Sequence, residues 1–419
     1  MRPLLLSAAT LLPGGGDWLP RPGVDVLVVE DKIAALGPGL AAPEGAELLD
    51  ASRLLLMPAF VNAHTHSPEA LARGRAPMAR LDDWLRAAYA EGQDALDAAA
   101  ITRAVRLTAA ENILGGAVAV TDHFRQLPLS VPAVHLAAAA WAETGLRVRL
   151  AAMLRDLPSP SAEAAPATEE ALAVAATLAR DPPRGVVFGL GPSAPQRCSD
   201  ALLAGLARLA REHGHFLHLH LCETALDRQR CLARFGPDLV AQLAALGLAG
   251  PDVEFAHGVH LTDQDLDQLA RAGTLMVHNP VANLRLGSGI APVARALARG
   301  VRLAVGTDGA GSNDTQDMLE AAKLACLLPR AGRPDEEWLS PEAVLSMATG
   351  GAHLRPGAAA DLIAFSLDAP AFAQARPEEL AARLLLAARP RDLRHVIAGG
   401  VFLLREGRLI SPTLAALAG

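Results

Sequence analysis

Two histidines two residues apart, in Asn62-Ala63-His64-Thr65-His66, fall in a run of strand-forming residues. Both imidazoles therefore project from one face of the strand. Imidazole is the commonest neutral ligand for zinc and its neighbours, and two rings at this spacing can share one ion. Two strand histidines can equally be satisfied by hydrogen bonds, so the pair alone does not decide. The pattern recurs in Phe216-Leu217-His218-Leu219-His220-Leu221-Cys222-Glu223. Here His220 offers a third ligand, His218 lies one layer deeper, and Glu223 stands just past the strand end, where a carboxyl group can move protons. Two further candidates end apolar runs: His257 in Ala256-His257-Gly258 and Asp308 in Val305-Gly306-Thr307-Asp308-Gly309. Asp308 can both ligate a metal and accept a proton. Taken singly, a carboxylate there reads as a helix cap or loop residue.

These residues need a scaffold that gathers several strand ends. Apolar runs at 59–66, 117–123, 148–154, 186–191, 216–222, 253–258, 274–278 and 302–307 alternate with Ala/Leu-rich helical stretches. Eight such units over roughly 250 residues predict an α/β fold, a (β/α)8 TIM barrel with buried parallel strands. A doubly wound open sheet is the alternative. The barrel is favoured because His66, His123, Glu223, His257, His278 and Asp308 all fall at or near C-terminal strand ends, where such barrels carry their sites. The flanking zones read as short strands separated by turn residues, with Gly399-Gly400 a hairpin signal. The expected division is residues 1–56 as a first β part, 57–356 as the barrel and 357–419 as a second β part. The proline-rich stretch 155–166 is expected to be a loop over the mouth.

Composition sets the outer limits. The 419 residues are 51% hydrophobic and 20% charged, with net charge −7 and no run of five or six like charges. No basic track for phosphates and no polybasic membrane patch follows, so neither nucleic acid nor membrane is an expected partner. Cys198, Cys222, Cys231 and Cys326 form no CxxC pair, which suits reduced thiols in a cytoplasmic protein. No apolar stretch approaches the ~20 residues that span a bilayer. Residues 1–20, with Arg2 before three leucines, read as a first strand more readily than as a signal peptide.

Four segments also resemble a known family: 57–66 (MPAFVNAHTH), 257–262 (HGVHLT), 278–289 (HNPVANLRLGSG) and 306–309 (GTDG). They are similar to the amidohydrolase superfamily, in the branch of chlorohydrolase-like triazine hydrolases, guanine and cytosine deaminases and S-adenosylhomocysteine/methylthioadenosine deaminases. The resemblance implies that His64, His66, His220 and Asp308 hold one divalent ion, Zn2+ or alternatively Fe2+. It implies Glu223 as proton shuttle, His257 as the residue polarising water or steadying negative charge, the two chain ends as one composite β-sandwich, and a homo-oligomer, dimer or larger. A bridging carbamylated lysine is not expected, because the two lysines, Lys32 and Lys323, lie outside the strand runs.

The expected activity is hydrolytic deamination of an amino-substituted nitrogen heterocycle (purine, pterin, pyrimidine or triazine) through a metal-bound hydroxide, releasing ammonia. The same site with another leaving group, as in a triazine dechlorinase, N-dealkylase or cyclic amidase, is the alternative. A non-catalytic metal-binding barrel is a reading of a different class. The family's Pro-His-x-Pro turn is here Pro192-Ser193-Ala194-Pro195, so Ser193, with Gln196, is expected to meet the substrate in place of a histidine. His123 and Asn279 are further candidates for the pocket. At the position where relatives grip a ribose this chain has Gln93, with Glu91 nearby, which lowers the weight of a nucleoside substrate.

Overall fold

A computed structural model of the chain describes residues 2–89, 96–160 and 164–418. The eight expected strands are present as a parallel sheet in sequential order: β1 (Phe60–Thr65), β2 (Ala117–Phe124), β3 (Arg147–Leu154), β4 (Val187–Pro192), β5 (Phe216–Leu221), β6 (Val253–His257), β7 (Leu275–His278) and β8 (Arg302–Val305). Their apolar side chains, among them Val120, Leu150, Leu190, Leu219, Phe255 and Met276, are almost wholly removed from water. Burial on both faces explains why these strands read as continuous apolar runs.

The barrel is nearly closed. Where β8 meets β1, the bonds lie past the end of β8: Asp308 N–H donates to the His64 carbonyl at 2.9 Å, and Thr307 N–H to the Asn62 side-chain oxygen at 3.0 Å. The Asn62 amide donates in turn to Asn112 (2.8 Å) and Thr307 (2.7 Å). A side-chain network thus fastens the seam at the level of the metal-ligand candidates.

Helices between the strands begin on oxygen-bearing caps. Thr224 accepts from Asp227 N–H while Asp227 returns a bond to Thr224, and Thr262 with Asp265 repeats the arrangement. The helix at Asp200–His213 ends at Gly214, with φ of 70°, a conformation that costs glycine nothing. The two chain ends build one nine-stranded mixed sheet. Leu54–Pro58 joins them, pairing parallel with Leu4–Leu11 and antiparallel with Leu362–Ser366. That sheet has its own core of Leu6, Val26, Ile33, Leu56, Leu362 and Ile397. Among the described residues no helix is long and apolar enough to cross a membrane.

Candidate metal centre and active site

The three histidines are oriented by what their outward nitrogens bind. His66 Nδ1 lies 2.6 Å from the His123 carbonyl and His220 Nδ1 lies 2.6 Å from the Ser193 carbonyl. A carbonyl only accepts, so both rings carry their proton on Nδ1 and turn a bare Nε2 inward. For His64 the same result comes through a relay: Glu254 is held by Arg149 at 2.8 Å and lies 2.8 Å from His218 Nδ1, and His218 Nε2 lies 2.7 Å from His64 Nδ1. Glu254, as a carboxylate, accepts from His218 Nδ1, and His218 in that tautomer accepts at Nε2 from His64 Nδ1, leaving His64 Nε2 bare.

The three bare nitrogens converge. His66 Nε2 and His220 Nε2 are 3.1 Å apart, and Asp308 Oδ1 is 3.3 Å from His64 Nε2 and 3.4 Å from His66 Nε2. Buried His64 Nε2 has no hydrogen-bond partner among the described residues. Lone pairs and a carboxylate facing one point with no proton between them are what a cation requires, so the donor set fits a divalent metal. Burial, followed by the positive charge that neighbouring imidazoles would carry, holds His64 and His220 well below the usual histidine range and so keeps them neutral, as ligands must be. Two overlapping groups of donor atoms, each within 4.8 Å, share His64: His64, His66, His123 and His220, and His64, His257 and Asp308.

The lysines lie apart, Lys32 opening a strand of the terminal sheet and Lys323 in the helix Met318–Leu327.

Glu223 and His257 face Asp308 across the site. His257 Nε2 is 3.7 Å from Glu223 Oε2 and 3.8 Å from Asp308 Oδ2, while His257 Nδ1 is fixed at 2.8 Å by the Asn283 side-chain oxygen. Burial raises the Glu223 carboxyl to about 7, partly opposed by His257. Burial also pushes Asp308 up, but the His257 ring beside it, with the Gly309 backbone N–H from which it accepts, holds this carboxyl below its ordinary value. His257 moves up in spite of its burial because Glu223 and Asp308 lie beside it. Two carboxyl groups in one site are thus pushed apart, one toward acid and one toward base.

Backbone conformation aims these groups. Cys222, His257 and Asp308 have φ of 47°, 76° and 65°, the left-handed region that non-glycine residues avoid. At Asp308 the cost is met by its carbonyl, which accepts from Thr65 (3.0 Å), Thr307 (2.9 Å) and Gln316 (2.8 Å).

A cavity above the site is lined by His66, His220, Glu223, His257, Asp308 and Ser193, with Trp84, Leu85, Met153 and Leu286 supplying apolar wall. Ser193 is therefore at the cavity. Gln196 is engaged elsewhere, its amide donating to Asp227 at 2.7 Å and accepting from Cys231 at 3.4 Å. His123 packs on the ring of His220, centroids 4.9 Å apart, with Nε2 3.3 Å from the Gly191 carbonyl. Asn279 is fully buried with its amide nitrogen 3.5 Å from His257 Nδ1. Gln93 and Glu91 lie outside the described residues.

Four residues escaped sequence reasoning: Asn283, which orients His257, and Glu69, Arg125 and Arg197 on the cavity wall. Glu69 accepts from Tyr89 (2.9 Å) and from the Ser312 hydroxyl (2.9 Å), and a side chain at Gly309 would collide with it. Its position three residues past His66 was the available signal. Arg147 pairs with Asp361 and Arg149 with Glu254. The described flanks of the 155–166 loop are tied down, Arg155 donating to the carbonyls of Leu157 and Ala164.

Comparison with known proteins identifies the family of the chain. The sequence model of the amidohydrolase family matches residues 55–403. The chain is 33% identical over 395 residues to a 5-methylthioadenosine/S-adenosylhomocysteine deaminase of Thermococcus onnurineus, covering 92% of this chain and 90% of that one. It is 32% identical over 370 residues to a 5'-deoxyadenosine deaminase of Methanopyrus kandleri, covering 85% and 82%. Among solved structures it resembles a zinc-bound adenosine deaminase from Xanthomonas campestris (TM-score 0.86, 26% identity, 99% and 96% covered). A triazine hydrolase variant shares the fold, with TM-score 0.89 at 22% identity and full coverage of both chains.

Proposed function

The chain belongs to the amidohydrolase family, a hydrolase of C–N bonds, and we propose that it is a hydrolytic deaminase of amino-substituted nitrogen heterocycles. The observation that carries this reading is the convergence of three bare histidine nitrogens and Asp308 opposite a raised glutamate. His64, His66, His220 and Asp308 would hold one divalent ion, with zinc proposed and iron(II) the alternative for a site of three imidazoles and one carboxylate. When bound, such an ion supplies Lewis acidity that makes water acidic enough to attack at neutral pH.

The residues around it divide the remaining work. Asp308, held as a carboxylate, accepts the proton of the attacking water. Glu223, kept protonated near neutral pH by burial, delivers a proton to the ring nitrogen next to the carbon under attack. His257, fixed by Asn283, donates toward the charge that develops as the ring carbon becomes tetrahedral. A second proton transfer frees ammonia. Ser193 contributes its carbonyl to His220 and its side chain to the cavity.

The deaminase relatives support an aminopurine nucleoside as the first substrate class to try, while Ser193 in place of the histidine of the Pro-His-x-Pro turn argues for altered contacts to the base. The test is ammonia release from aminopurines, adenosine derivatives, pterins, pyrimidines and triazines by protein of measured metal content. Ammonia from one class at about one metal per chain supports the reading. Metal-loaded protein that consumes a triazine or cyclic amide without releasing ammonia replaces it with the same site acting on another leaving group.

A further inference from the structure

Arginines around the barrel mouth are mostly committed to partners. Arg228 pairs with Asp265 at 2.6 Å, Arg230 with Asp82 at 2.9 Å and Arg285 with Asp314 at 2.9 Å. Arg125 lies over the ring of Tyr89, 3.6 Å from its centroid. Arg197 is different. Among the described residues its guanidinium makes no ion pair, and its Nε is buried with no hydrogen-bond partner, yet the residue lines the cavity together with Ser193, Met153 and Glu223. Its backbone is fixed. It closes the short turn Pro195–Arg197 after β4, with its N–H on the Ala194 carbonyl at 2.9 Å and its own carbonyl accepting from Leu157 at 3.2 Å. The side chain therefore starts from a rigid point beside the reacting groups.

A buried guanidinium N–H without an acceptor is costly, and a planar fork of donors matches carboxylate and phosphate oxygens. Solvation alone does not account for an N–H that water does not reach. We propose that Arg197 is a specificity-determining residue that pairs with an anionic group, a carboxylate or phosphate, carried by the substrate. The inference rests on the reading above for where the substrate lies. It assigns the substrate a polarity: an amino-bearing ring toward Glu223 and an oxyanion toward Arg197.

The experiment measures equilibrium binding to the metal-loaded protein, and ammonia release in parallel, for three matched pairs. These are 5'-methylthioadenosine against S-adenosylhomocysteine, adenosine against its 5'-monophosphate, and pterin against pterin-6-carboxylate. The member that carries the added carboxylate or phosphate is expected, in at least one pair, to bind about tenfold or more tighter. Which pair responds separates carboxylate from phosphate. In Arg197→Met that ratio falls to about one, and in Arg197→Lys, which keeps the charge and guards against misfolding, it is intermediate. A wild-type ratio near one in every pair overturns the proposal, as does an Arg197→Met variant that weakens both members equally and leaves the ratio intact. Anion preference without ammonia release from any probe would instead remove the deaminase reading and leave the anion contact standing.

Discussion

His64 Nδ1 stands 2.7 Å from His218 Nε2, and that contact sets which nitrogen of His64 faces the site. The relay continues through His218 to Glu254 at 2.8 Å and to Arg149 on the far side. Glu254→Gln removes the negative charge that fixes the direction of both protons. The variant is expected to fold and to bind zinc about 10–100-fold more weakly, read by titration against a competing chelator. Unchanged affinity would show that His64 needs no such orientation.

The ligands themselves have a larger effect. His220→Ala and His66→Ala each leave converging donors without a full set, and elemental analysis of the purified variants is expected to find far less than one metal per chain. Chelator treatment of the wild type should abolish turnover, with zinc restoring it. A His220→Ala protein that retains stoichiometric metal would move the ligand assignment to His123, whose ring packs against His220.

Glu223→Gln separates metal binding from proton transfer. Metal content should stay at the wild-type level while turnover falls by about a thousandfold or more. A near-normal rate would remove Glu223 from the mechanism.

The same variant carries a pH signature in the metal-free protein. Native Glu223 keeps its proton up to about 7, whereas in the unfolded chain the carboxyl ionises above 4.5. The native state therefore holds the extra proton in this window, and stability falls as pH rises through it. Relative to Glu223→Gln, the wild type should lose about 3 kcal/mol between these limits, measured by denaturant unfolding with chelator present. An equal slope in both proteins would place the Glu223 carboxyl near its ordinary value.

Asn283 acts at one remove, through His257. Asn283→Ala frees His257 Nδ1, and the expected result is a loss of about 10–100-fold in kcat with metal content retained and KM little changed. A change in KM alone would place Asn283 in substrate binding rather than in positioning.

The sequence was informative where one residue type at one spacing has one physical meaning. His64 and His66 share a strand face whatever lies around them, and His220, His257 and Asp308 end apolar runs at a place the barrel makes functional. The terminal segments read as strands, but their union is set by Leu54–Pro58 pairing with Leu362–Ser366, about three hundred residues later, which no local pattern reveals. Cavity wall residues were the least legible. Glu69 and Arg197 occupy a helical turn and a short loop turn, and only tertiary packing turns them toward one space. Gln196 shows the converse: its place in a familiar turn suggested a substrate contact, while the amide is held by Asp227 and Cys231.

Left-handed backbone at Cys222, His257 and Asp308 has a consequence for how this protein can change. Each such residue costs of order 1–3 kcal/mol, and all three sit at or next to the groups that move protons. Glycine at any of them would relax the backbone, and at His257 or Asp308 it would delete the chemistry. Selection for heat resistance alone would therefore draw substitutions toward the mouth of the barrel, whereas selection for turnover must hold the mouth fixed and seek its gains in the helices and the terminal sheet.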